Sequence, residues 1–321
     1  RYHRLCRQFD TPAETRSVVE KMVAEVRALD PLFFRALEDP IPLEETLEYG
    51  LFEKSLGLPK TDGAFLREFD AGLGPYRSKL VDWKANGPAV MAQSVRSVLG
   101  LPRERMEDRE AIGLVLDPAK NPYLSEPLVL TEMSKLSRAM HHPHFTFRKK
   151  LSHTADSQDQ RHRMVPGTRP ILAAQIGSER PDYILPPIVE GNGPARERAE
   201  TLFTRVWEAI GRIAELEGNS EAAHYLLPNA VPVRFEESGD LLNLHHKWTT
   251  RLCYLAQEEI WRCCREEVEQ VEKVQPEFAG FLRAPCTLRK GAGKSPYCPE
   301  GPRYCGVRVW ELPLDRYART I

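Results

Sequence analysis

The chain has 321 residues, 41% of them hydrophobic, which is enough for at least one sizeable core and, by length, for two domains. Lys+Arg 45 against Asp+Glu 46 gives a net charge of -1, excluding the global basic field of a protein that grips a nucleic-acid polymer through its phosphates. The longest apolar stretches, such as 183–189, fall far short of the ~20 residues a membrane span needs and are interrupted by Pro186 and Pro187.

Seven cysteines in 321 residues, a sparse and odd count, with no signal-like opening segment, argue against a disulfide scaffold and for a reducing cytoplasm. The chain opens at Arg1 without a methionine and runs straight into charged, helix-like sequence, which predicts further sequence upstream.

In chain order, Val19, Met22, Val23, Val26 and Leu29 have the spacing of an amphipathic helix that buries one face and stops before Pro31. Val23, Val26, Pro31, Phe33, Leu37 and Pro40 recur at a constant offset as Val268, Val271, Pro276, Phe278, Leu282 and Pro285, and Arg4-Leu5-Cys6 resembles Arg251-Leu252-Cys253. The repeat predicts a tandem duplication. Residues 1–45 are then the tail of a first copy, 46–100 a helical connector, 101–285 a fuller second copy and 286–321 a Cys-, Gly- and Pro-containing tail.

A helix is expected over 87–99 behind Gly-Pro punctuation, and another over 128–139. Residues 144–149 alternate as a strand does, with aromatics at Phe145 and Phe147. Residues 152–163 read as a polar loop ending in Arg161-His162-Arg163. Asn192-Gly193-Pro194 opens a long helix closed by Gly218, with Trp207 on its core side. A helical stretch from about 241 runs to 274, with Ile260, Cys264, Val268, Val271 and Val274 on its buried face. Helices dominate over a minority of strands, so the fold class is α+β and helix-rich.

Arg161-His162-Arg163, with Gln158 before and Arg169 after, is the densest group of directional donors. In an extended segment Arg161 and Arg163 would face one ligand and His162 another, and guanidinium groups take phosphate bidentately. Taken alone, the cluster also fits a solvated loop paired with Asp156 and Asp159. His141-His142-Pro143-His144 has the residue type for a metal but not the spacing, since neighbours in an extended strand do not converge on one ion. Hydrogen bonding or stacking suits these imidazoles better. Cys286, Cys298 and Cys305 lack the short Cys-x2-4-Cys knuckle, which favours free thiols over zinc. No Gly-rich phosphate loop, Gly-x-Ser-x-Gly elbow or kinase set is present.

Phe145-Thr146-Phe147, then Gln158-x-x-Arg161-His162-Arg163, then Leu227-Pro228, then Arg251 with Ala256-Gln257-Glu258-Glu259-Ile260, resembles the flavin-dependent thymidylate synthases in order and kind. The resemblance covers roughly residues 128–283. It implies FAD bound at subunit junctions of a homo-oligomer, and methylation of dUMP to dTMP with methylenetetrahydrofolate as carbon donor and NADPH as reductant. Matched position by position, it implies flavin contacts at His142, Arg161, His162, Arg163 and His246, and substrate contacts at Gln158, Arg169 and Arg251. The run Met164 to Pro170 is shorter than the family's and lacks its Asn-Glu pair; Thr168 and Arg169 stand where its substrate-binding Ser and Arg would be. The corresponding alternative is a catalytically inactive relative that binds nucleotide or serves in assembly.

Overall fold

The computed structural model of the chain describes residues 8, 11–34, 41–51, 61–126, 134–172, 174, 181–216 and 220–319. They divide into two compact units: Arg1–Glu68 with Pro170–Asp182 and Val189–Pro228, and Phe69–Arg169 with Tyr183–Ile188 and Asn229–Ile321.

In the first unit a helix spans Ala13–Leu29, stopping before Pro31 as expected. None of its residues is fully buried, however: Val19, Val23 and Val26 are half-covered while Met22 and Leu29 are exposed. The expected buried face is therefore only partly covered. The long helix Gly193–Glu215 begins where the sequence places it. The Asn192 side chain accepts from the Ala195 amide at 3.1 Å, and Pro194 occupies the first turn, where its missing N–H costs nothing. Trp207 and Ile210 are buried. The helix ends at Glu215; Gly218 lies outside the described residues, as do the matches at Arg4-Leu5-Cys6, Leu37 and Pro40.

The second unit is built on one antiparallel sheet of order β1-β2-β4-β3, comprising β1 (Ser78–Trp83), β2 (His144–Ser152), β3 (Gly167–Thr168) and β4 (Pro232–Asp240). β2 is the predicted strand, running slightly further. Its period-2 alternation sends Phe145, Phe147, Lys149 and Leu151 to one buried face. Phe145 and Phe147 both meet the Trp248 ring, with centroids 6.2 Å away. Burying such side chains supplies roughly 1.5–3 kcal/mol each, so this aromatic group anchors the sheet to the helix Leu241–Arg251. Residues 78–83 and 87–99, read from sequence as parts of a connector, form β1 and a helix that buries Met91, Ala92 and Val95 in the same core. Val309, Leu314 and Tyr317 of the C-terminal tail join that core too.

Three local expectations are corrected. The stretch 152–163 is not one loop: His153–Asp159 is a helix. The Ser152 hydroxyl caps it by accepting from the Ala155 amide at 3.2 Å, and its polar inner face, Asp156 and Asp159, is buried because cations meet it there. The stretch 241–274 is two helices, Leu241–Arg251 and Glu258–Val274. Trp261 Nε1 donates to the Leu252 carbonyl, and the Gln257 side chain caps the second helix by accepting from the Ile260 amide. Residues 128–133 lie outside the described set, and the end of the helix expected there is a 3-10 turn over Ser137–His141. The predicted buried face of Glu258–Val274 is present, with Ile260, Cys264, Val268 and Val271 fully enclosed.

Candidate functional site

Arg161-His162-Arg163 is a turn and not an extended segment. The His162 amide donates to the Asp159 carbonyl at 3.1 Å, and the Val165 amide to the His162 carbonyl at 2.9 Å. This fold-back carries the His162 ring under the end of the Leu241–Arg251 helix. Arg251 Nε donates to His162 Nε2 at 3.1 Å, and Arg251 Nη2 donates to the Gln158 carbonyl at 2.7 Å. Arginine has only donors, so Nε2 accepts and the ring proton sits on Nδ1. The His246 ring meets His162 edge-on at 5.6 Å. Gln158, His162, His246 and Arg251 thus form one group, while Arg161 and Arg163 stand exposed beside it.

The group carries positive charge and has no acidic hydrogen-bond partner among the described residues. Burial, reinforced by the Arg251 cation, pushes His162 down to about 3, and the same two causes lower His246. Both imidazoles are neutral near pH 7. Neither Arg161 nor Arg163 makes an ion pair with any of the described residues. Such an arrangement of guanidinium forks and neutral rings can take a phosphate and stack against a planar ring.

Two predicted residues lie elsewhere. His142 is exposed and its Nε2 lies 3.1 Å from the Ser94 hydroxyl. Arg169 has its fork engaged by Asp156, with Nε 3.0 Å and Nη2 2.8 Å from Oδ1, and its guanidinium lies 4.4 Å over the Phe235 ring. Asp156 and Asp159 therefore do not neutralise Arg161 and Arg163. The Gln257 and Glu259 landmark also has a local function: Glu259 accepts from both the Ser152 amide and the Ser152 hydroxyl at 2.6 Å, pinning the start of the helix that bears Gln158.

Directly beneath this group lies a buried ionic cluster that sequence reading missed. Lys149 meets Asp159 at 3.0 Å, Glu267 at 2.9 Å and Glu237 at 3.4 Å; Lys247 pairs with Asp159 at 2.8 Å and with Glu237. All five side chains are essentially inaccessible. The available signal was Lys149 in the inward register of an otherwise apolar strand. Glu267 also accepts from Ser78 Oγ and Trp248 Nε1. The lysines hold Asp159 well below the usual carboxylate range and lower Glu267, despite the burial that opposes ionisation. Glu237 goes the other way: burial raises it to about 8, with the lysines opposing and Asp159 adding to the rise. With Glu237 protonated, two cations balance two anions.

The pH dependence follows in sign. A carboxyl whose folded pKa lies above its unfolded value stabilises fully below the unfolded value and loses that contribution as pH rises through the folded one. Neutral buried His162 and His245, held to about 3 and about 4 chiefly by burial, do the reverse and gain stability up to about 6.5. The two effects oppose each other below about 6.5; from there to about 8 the loss from Glu237 dominates, at up to about 1.4 kcal/mol per pH unit. Glu237→Gln should flatten this decline, so that its melting temperature stays nearly level from pH 6.5 to 8 while the parent chain drops by a few degrees. An equally steep decline in the variant would remove Glu237 as the cause.

An antiparallel sheet backed by helices, with Arg251, His162 and His246 brought together beside it, defines a helix-rich α+β protein. The family described as thymidylate synthase complementing protein has a model that matches residues 79–277, more than half of the chain, and the chain belongs to that family. It is similar to the flavin-dependent thymidylate synthase of Nitratidesulfovibrio vulgaris, 29% identical over 180 residues, covering 53% of this chain and 71% of that protein. Those of Sulfurisphaera tokodaii and Saccharolobus solfataricus are 26% and 24% identical over 155 residues, each covering 47% of this chain. The chain spans only 59% and 58% of those two relatives' lengths.

Proposed function

We propose that this chain binds FAD and methylates dUMP to dTMP, with methylenetetrahydrofolate as carbon donor and NADPH as reductant. The observation that supports the reading best is the seat of Arg251 on His162 and Gln158, beside exposed Arg161 and Arg163. The donor chemistry fits a dinucleotide: two guanidinium groups with no ion pair to a described residue, next to neutral rings. When bound, the flavin supplies the hydride that completes the methyl group.

The chain's own residues then divide the work. Arg161 and Arg163 hold the cofactor's phosphates, and His246 and His162 present ring edges to its planar system. Arg251, its orientation fixed by the Gln158 carbonyl and His162 Nε2, places the nucleotide. Keeping His162 neutral leaves its lone pair for that positioning bond. Arg169, locked onto Asp156, serves in this reading as a strut that supports the 153–159 helix, and His142 is a peripheral cofactor contact. The reading includes a homo-oligomer whose copies share the site. The offset repeat is the trace of a duplicated ancestor.

The test is the Arg161→Ala/Arg163→Ala double variant. Each charge-assisted phosphate contact is worth about 1.5–3 kcal/mol, so FAD affinity should fall at least about 100-fold while melting temperature barely changes. Flavin content read from visible absorbance, with dUMP turnover measured alongside, checks both. Unchanged flavin stoichiometry in the folded variant removes the cofactor assignment; retained flavin without dUMP turnover in the parent chain points to the inactive relative.

A further inference from the structure

Away from the Arg251 group, the fold assembles four thiols that the sequence keeps apart. Cys286, Cys298 and Cys305 come from the C-terminal segment. Cys253, which follows the helix bearing Arg251, is delivered to the same small pocket, and all four line it. None is in a disulfide.

The composition of the pocket wall suits a ligand held by sulfur. Among the described residues Glu300 is the sole ionisable group other than the thiols and two tyrosines on the wall, the rest of which is largely apolar, as at Leu255, Val307 and Val309. Thiols gathered on such a wall are ligands of the soft, thiophilic kind, and a bound cation would be what lets them ionise there.

We propose that Cys253, Cys286, Cys298 and Cys305 are the four ligands of a thiophilic metal centre, either one Zn²⁺ or an iron–sulfur cluster. Soft thiolates select these metals over hard cations. As the side chains stand, no three ligating groups among the described residues converge on a position for one ion. A single zinc, with bonds of about 2.3 Å, therefore requires the thiols to draw inward, whereas a cluster spans more widely separated sulfurs and needs the smaller adjustment. The centre would clamp the C-terminal segment to the turn that leaves Arg251. The wide spacing that favoured free thiols in the sequence is no obstacle once Cys253 arrives as the fourth ligand.

The experiment is metal and acid-labile sulfide analysis of the full chain, purified without oxygen or chelator, followed by the same analysis of Cys298→Ala and Cys286→Ala. About four irons with matching sulfide, or about one zinc, per chain, falling at least about tenfold in either variant, supports the centre and identifies its metal. The parent measurement does not depend on the variants folding. A chain that is metal-free, and stays so after anaerobic incubation with iron and sulfide or with zinc, overturns the proposal. Metal content unchanged in the folded variants, or disulfides among the four cysteines of the oxygen-free protein, does the same.

Discussion

Replacing Lys149 with methionine should lower the unfolding free energy by about 3–5 kcal/mol, the largest stability effect expected of a single substitution in this chain. Methionine keeps an unbranched apolar stem, while the ammonium that lies 5.8 Å over the Phe235 ring goes with the charge. What is lost is the cation between Asp159, Glu237 and Glu267, each within 3.4 Å of Nζ. Lys247 then faces the three carboxyl groups alone, and one buried anion has no counter-charge. Water cannot reach the cluster to compensate, because all five side chains are inaccessible. Denaturant unfolding of the parent, of Lys149→Met and of Lys149→Met/Glu267→Gln checks this. The double variant restores the charge balance and should recover about 1–3 kcal/mol, the coupling typical of groups in one network. A loss below about 1 kcal/mol in the single variant would show that the cluster contributes no more than a surface ion pair.

Arg251→Ala should weaken dUMP binding at least about 100-fold, corresponding to about 2.7 kcal/mol or more for a half-buried, charge-assisted contact. Arg251→Lys should fail almost as badly. Lysine retains the charge, but its single ammonium cannot bond the Gln158 carbonyl and His162 Nε2 while also presenting a planar fork to a ligand. Calorimetric titration of each variant with dUMP, in the presence of FAD, measures the effect. A lysine variant with parental affinity would mean that Arg251 acts as a point charge only, and an alanine variant with parental affinity would place the nucleotide elsewhere. Flavin content in the same preparations separates loss of nucleotide binding from loss of the cofactor.

Much of the scaffold was legible in short windows of sequence. The period-2 pattern of Phe145 and Phe147 marks β2, Asn192 with Pro194 marks a helix start, and the apolar spacing from Ile260 to Val271 marks a buried helix face. The helix over 153–159 was not legible, since its inner face is Asp156 and Asp159 and no apolar stripe announces it. Its burial depends on Lys149, Lys247 and Arg169, which are supplied by other parts of the chain.

The sequence by itself determined the α+β class and the family resemblance, and it singled out the side chains at 158, 161–163 and 251 as donors. Tertiary structure alone decided which of those donors meet. Arg251 reaches His162 across 89 residues of chain, while Arg169 is taken up by Asp156 a short distance away. It also decided that Lys149 faces inward and that Cys253 joins three distant cysteines. The physical reason is the same in each case: periodicity and capping are set by neighbours within a few residues, whereas a charge or a thiol takes its state from partners that only folding delivers.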